Sequence, residues 1–161
     1  MRAAVLTVSD RVSRGEADDV SGATLEELLL ADGFQVLRRL VPDERDEIAQ
    51  AITDLAEDHD LVISTGGTGL ASRDVTPEAT LSVLDREAPG IAEAIRADSI
   101  ARTPHGLLSR AVAGTIGSAL VVNLAGSPGA CRDGYAVLRP ALEHALNLLA
   151  DQKTATDHRH T

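Results

Sequence analysis

The chain is predicted to fold as a three-layer α/β domain, with a mostly parallel but mixed sheet between two helical layers. Three observations predict it. Short apolar runs alternate with stretches of helical periodicity along nearly the whole length, the order expected of strand–helix–strand units. Two of the runs, Leu61-Val62-Ile63-Ser64 and Leu120-Val121-Val122-Asn123-Leu124, are apolar almost throughout, as strands covered on both faces are. Residues 108–113 and 119–124 flank a turn at 114–117 and read as a hairpin. That hairpin adds an antiparallel pair to the sheet.

The elements follow in order. Residues 3–8 form the first strand, and 9–20, polar and glycine-containing, a loop. Ser21 caps a helix that sets Leu25, Leu28 and Leu29 on one face and stops at Gly33. Residues 34–41 alternate in part and end at Pro42, a second strand nearer the sheet edge. Asp43 opens a helix whose inner face carries Ile48, Ile52 and Leu55. The buried strand 61–64 leads through Gly66, Gly67 and Gly69 to a helix from Thr76 to about Arg86. Thr76 serves there as N-cap, Pro77 as N1, and Glu78 as the acid of the first turn. Pro89-Gly90 breaks the chain before a helix carrying Ile91 and Ile95. After the hairpin, Ala125-Gly126-Ser127-Pro128-Gly129 precedes a last helix with Leu142, Ala145, Leu146 and Leu149 on one face. Residues 1–150 make one domain with an ample core, and the polar, aperiodic residues 151–161 a disordered tail.

Composition narrows the function. A formal net charge of −10 argues against nucleic-acid or anionic-membrane binding. It leaves room for a small anion at a locally positive site. Phe34 and Tyr135 are the only aromatics, too few for a platform on which bases stack. No apolar run approaches membrane-spanning length, and Met1-Arg2 leads straight into a strand rather than a signal peptide, so a cytoplasmic protein is expected. Cys131 is the single cysteine, which excludes an internal disulfide and a cysteine-rich metal site. Near a helix start it reads as a small buried residue rather than a nucleophile. His59, His105 and His144 lack metal-site spacing.

Four candidate strands are each followed by a loop of functional composition. These loops are Ser9-Asp10-Arg11 with Ser13-Arg14-Gly15; Pro42-Asp43-Glu44; residues 65–74; and Gly126-Ser127-Pro128-Gly129. If the strands run parallel, all four loops line one edge, where open α/β sheets bind ligands. Three glycines in four positions let the backbone turn sharply and approach a ligand. Arg11, Arg14, Arg73, Arg110 and Arg132 lie in or beside the loops, and guanidinium groups recognise phosphate in bidentate fashion. Carboxylates beside phosphates, here Asp43 and Asp74, hold Mg²⁺. On spacing alone Asp43 serves equally as a helix cap, whereas the glycines, three in four positions beside Arg and Asp, fit a ligand loop better than a tight turn without ligand. The loop lacks a P-loop lysine and a third dinucleotide-binding glycine, and no nucleophile elbow occurs. The residues thus lead to an α/β domain binding a phosphorylated ligand with Mg²⁺.

The segment Thr65-Gly66-Gly67-Thr68-Gly69, followed by Arg73-Asp74-Val75-Thr76-Pro77-Glu78-Ala79-Thr80, resembles the signature of the Mog/MoaB family of molybdenum cofactor biosynthesis proteins. Ser9-Asp10-Arg11 with Gly15, Pro42-Asp43-Glu44, Pro89-Gly90, Leu108-Ser109-Arg110 and the run from Asn123 to Gly129 also fall at family motifs. The resemblance implies a molybdopterin-binding fold assembled as a homotrimer, with a hexamer left open. It implies that ATP and molybdopterin react to adenylyl-molybdopterin and pyrophosphate, with a molybdate-inserting enzyme as a further partner. By the same resemblance Asp43 and Asp74 are the catalytic acids that organise Mg²⁺. Residues 65–69 hold the pterin phosphate or the nucleotide, and Ser109, Arg110 and Ser127 complete the pocket. Ser9, Asp10, Arg11, Gly15, Arg73, Asn123, Gly126, Pro128 and Gly129 are the further substrate-binding candidates. The attacking group is the pterin's own phosphate, so no protein nucleophile is required. One departure is Ala125, where the family more often has proline. The alternative within the same fold is a non-catalytic molybdopterin-binding paralogue or carrier.

Overall fold

The computed structural model describes residues 1–157. Strands β1 (Arg2–Val8), β2 (Gln35–Val41), β3 (Leu61–Thr65), β4 (Arg86–Glu87), β5 (Ala113–Ile116) and β6 (Ala119–Leu124) form one sheet in the order β2-β1-β3-β6-β5-β4. The first four in that order run parallel. β5 pairs antiparallel with β6, and β4 antiparallel with β5. The sheet is therefore mixed, with β2 at one edge, as the sequence predicts.

Alternate residues of each inner strand face opposite layers. Ala3, Val5, Leu61, Ile63 and Val122 pack with Leu25 and Leu29 of α2 (Val20–Ala31) and with Tyr135, Leu142 and Leu146 of α6 (Pro128–Asp157). Ile91 and Ile95 of α5 (Pro89–Arg102) close that layer. Ala4, Leu6, Val62 and Val121 face Ile48, Ile52 and Leu55 of α3 (Arg45–Asp58) and Ala79 of α4 (Thr76–Leu81). Both cores are mainly aliphatic, and each buried Leu or Ile contributes roughly 1.5–3 kcal/mol.

The structure differs from expectation mainly at element ends. Asp19, not Ser21, caps α2: its carboxylate accepts from Gly22 N at 2.9 Å, while the Ser21 hydroxyl donates to Gly126 O. The loop 9–20 contains a short helix, α1 (Asp10–Ser13), capped by Ser9. Thr76 does not cap α4, because its hydroxyl donates to Gly66 O; Val75 is the N-cap. The helix ends at Leu81 and leaves room for β4, whose two residues are too few to show a period. The first hairpin strand is residues 113–116 rather than 108–113, because the turn falls at Gly117, with φ +54°, and Ser118. Finally, α6 continues to Asp157, through residues expected to be disordered. No glycine or proline interrupts 151–157, and extending a formed helix costs little per residue. The rest of the expected tail, 158–161, lies outside the described residues.

Candidate functional site

The parallel strands β1, β2, β3 and β6 deliver their carboxyl ends to one edge, and the four expected loops meet there. After β1, Asp10 opens α1. After β2, the chain turns at Asp43, which does not cap α3; the N-cap is Glu44, and its side chain makes no capping bond. The two aspartates lock their loops reciprocally. Asp10 N donates to Asp43 Oδ2 at 2.8 Å, and Asp43 N to Asp10 Oδ1 at 3.0 Å. The cap reading of Asp43 is thereby excluded.

The glycine loop after β3 threads between these groups. Gly66 at φ +102° and Gly67 at φ +68° adopt backbone that side chains disfavour. A Cβ on Gly66 would overlap the Val8 carbonyl oxygen, and one on Gly67 would stand 3.1 Å from Asp43 Oδ1. On the other side a Cβ on Gly69 would come within 2.9 Å of Asp74 Oδ2. Glycine is thus required by the positive φ angles and by the Val8 carbonyl and Thr76 hydroxyl against Gly66 and Gly67, and the loop so formed runs close to both carboxylates. Asp74 closes its own turn by accepting from Ala71 N at 3.0 Å and donating its N–H to Ala71 O.

Electrostatics distinguish the acids. Burial pushes the Asp43 carboxyl above its ordinary value, and the like charges of Asp10 and Asp74 push the same way. The Asp10 carboxyl is held low by hydrogen bonds from Arg73 and from the Asp43 backbone. Arg73 forks onto Asp10 at 2.9 and 3.0 Å and also donates to Glu44 at 2.9 Å. Its side chain is half exposed.

The loop after β6 closes the far side. Ser127 caps α6 by accepting from Ala130 N at 3.1 Å, and Pro128 begins the helix. A Cβ on Gly126 would lie 3.2 Å from Gly66 Cα, so the two loops touch. Between them opens a cavity of about 250 Å³ lined by Thr7, Ser9, Asp18, Asp19, Ser21, Thr65, Gly66, Gly126 and Pro128, among others. A larger cavity, about 710 Å³, lies at the opposite end of the strands against Met1, Phe34, Tyr135 and Arg139. The smaller one adjoins the convergent loops at Ser9, Thr65, Gly66, Gly126 and Pro128; Asp10, Asp43, Arg73 and Asp74 stand beside it rather than in its lining.

A family model described as "Probable molybdopterin binding domain" matches residues 4–144. The chain belongs to the molybdopterin-binding domain family. A molybdopterin adenylyltransferase of Helicobacter pylori is 37% identical over 150 residues, covering 90% of this chain and 85% of that protein. A molybdopterin adenylyltransferase of Escherichia coli K12 is 41% identical over 138 residues, covering 83% and 71%. Among solved structures, the molybdopterin biosynthesis enzyme MoaB of Thermus thermophilus superposes with a TM-score of 0.86 at 44% identity, covering 92% of this chain and 95% of that one.

Within this family member, several expected site residues do not face the cavity. Asn123 is 1% exposed. Its amide donates to Ser64 Oγ at 2.8 Å and Thr80 Oγ1 at 3.0 Å and accepts from Val112 N, so it joins β6 to β3 and α4. Thr65 does line the cavity, but its hydroxyl donates to Ala125 O. Ser109 O accepts from Arg96, and its hydroxyl lies 3.4 Å from Ala111 N. Gly15 follows the C-cap of α1, and Gly129 is exposed in the first turn of α6, as Arg11 is on α1. Thr68 is buried under the loop, its carbonyl held by Arg110 N. Sequence reasoning missed Asp18, Asp19 and Ser21, which line the cavity. Only the turn-forming composition of 9–20 pointed there. Cys131 is fully buried, and burial raises its thiol, so it is no nucleophile. Among the described residues no helix is long and apolar enough to cross a membrane.

Proposed function

We propose that the protein acts in molybdenum cofactor biosynthesis as a molybdopterin adenylyltransferase, joining molybdopterin and ATP to give adenylyl-molybdopterin and pyrophosphate. One observation carries the reading. In a family whose relatives at 37–41% identity bear that name, two carboxylates, Asp43 and Asp74, flank a glycine loop that only glycine can form. Such a pair fits a reaction between two phosphorylated substrates.

A terminal phosphate oxygen of molybdopterin attacks the α-phosphorus of ATP. The new P–O–P bond forms as the α–β bridging bond breaks, and pyrophosphate leaves. The protein supplies no nucleophile; it positions the two phosphates and offsets developing charge. Among the described residues no three acidic, His or Cys groups form a metal cage. Mg²⁺ takes one or two protein carboxylates together with substrate phosphates. Asp43, raised first by burial and then by the like charges of Asp10 and Asp74, and Asp74 are the residues that would hold it. Mg²⁺ supplies charge neutralisation on the triphosphate when bound. Arg73 releases Asp10 and Glu44 to grip phosphate, and Ser9, Gly66, Gly126, Ser127 and Pro128 shape the wall beside it. A homotrimer, a cytoplasmic setting and delivery to a molybdate-inserting enzyme belong to the same proposal.

Incubation with molybdopterin, ATP and Mg²⁺ is expected to release pyrophosphate, and Asp74→Asn to stop the release. A folded wild type that binds molybdopterin yet releases none favours the carrier reading instead.

A further inference from the structure

Arg110 stands in a motif expected to contact substrate phosphate, yet its polar groups are directed elsewhere. Its backbone N donates to Thr68 O at 2.9 Å. Its Nε donates to Gly69 O at 2.8 Å, its Nη2 to Asp74 O at 2.7 Å, and its Nη1 to the Glu78 carboxylate. Three of the five guanidinium N–H groups are therefore engaged by acceptors at both ends of residues 69–74 and on α4. The planar fork ties the start of that segment to its finish. Within the tie, Ala71 N and Asp74 Oδ2 and, in reverse, Asp74 N and Ala71 O hold the turn that presents the Asp74 carboxylate.

We infer that Arg110, seated by Glu78, is a positioning residue that fixes the backbone carrying Asp74, and that it is not a phosphate ligand. The inference rests on the adenylyltransferase reading for its kinetic consequence but not for its structural one. Lysine cannot replace such a brace. Its ammonium is one point charge, which serves phosphate well but cannot span separate carbonyls in a fixed plane. The two roles therefore predict opposite behaviour for the conservative variant.

The experiment compares wild type with Arg110→Lys, Arg110→Ala and Glu78→Gln. Glu78→Gln is the mildest change, because it leaves the guanidinium in place. Amide hydrogen exchange is read at Ala71 and Asp74, and kcat and KM from pyrophosphate release. The brace predicts exchange at least about tenfold faster at those amides in all three variants. It also predicts kcat lowered about 10–100-fold with KM for ATP and molybdopterin unchanged within twofold. Unchanged exchange overturns the inference. So does a Lys variant that keeps wild-type kcat while Arg110→Ala raises KM. If the wild type shows no turnover, the proposed function fails, and the exchange measurement alone decides the brace.

Discussion

At the residue scale the site turns on carboxylates held in unequal environments. Asp43 pays a desolvation penalty and faces two like charges, so its carboxyl is raised from 3.8. A group raised in the folded state contributes stability below its unfolded value and loses it as pH rises through the folded value. Asp43→Asn, neutral at every pH and still able to accept from Asp10 N, is therefore expected to melt above wild type at pH 7. The gap should close as pH falls towards 3.8. Pyrophosphate release should fall at least about 10²-fold. Calorimetry at both pH values checks this, and a lowered Tm at pH 7 contradicts it. Gly66 makes a second case: Gly66→Ala forces a side chain onto φ +102° and into the Val8 carbonyl. A loss of about 3 kcal/mol in urea unfolding is expected. The requirement for glycine was legible in the sequence, but its reason was not, because the neighbour that forbids a Cβ comes from a strand far away in the chain.

At the element scale, strands and helices with a full period were legible: β1, β3, β6 and the inner faces of α2, α3 and α6 stand where apolar spacing put them. Elements too short to show a period were not, namely α1 and β4. Caps failed for a related reason. Thr76 and Ser21 are good cap residues by type, yet tertiary partners, Gly66 O and Gly126 O, claim their hydroxyls. Asn123 makes the same point for the site. Its place in a family motif suggested ligand contact, whereas the fold uses its side-chain bonds to join β6 to β3, to α4 and to Val112 before β5. Asn123→Ala strands buried partners and should cost about 2–4 kcal/mol. Molybdopterin affinity should stay within twofold, as calorimetric titration would report; a selective loss of affinity at unchanged stability would place Asn123 in the pocket after all.

At the scale of the whole molecule, one sheet organises both stability and site. Its two faces bury separate aliphatic cores, so Ile52→Ala on one face and Leu25→Ala on the other should each cost about 3 kcal/mol. Chemical unfolding should stay a single transition in both, because each core is anchored on the same strands; two separated transitions would contradict that. The parallel run β2-β1-β3-β6 brings four loops far apart in sequence to one edge. This convergence was legible because each loop showed the same functional composition after a strand. Which side chains face the ligand and which brace the loops was not, since that depends on partners contributed by other elements, as with Arg110. The central claim is that this edge joins molybdopterin to the adenylyl group of ATP. ATP labelled at the α-phosphate, incubated with molybdopterin and Mg²⁺, tests it most directly. The account predicts that the label moves onto the pterin with wild type and not with Asp74→Asn. Label that stays in ATP with folded wild type, or transfers equally well with Asp74→Asn, would contradict it.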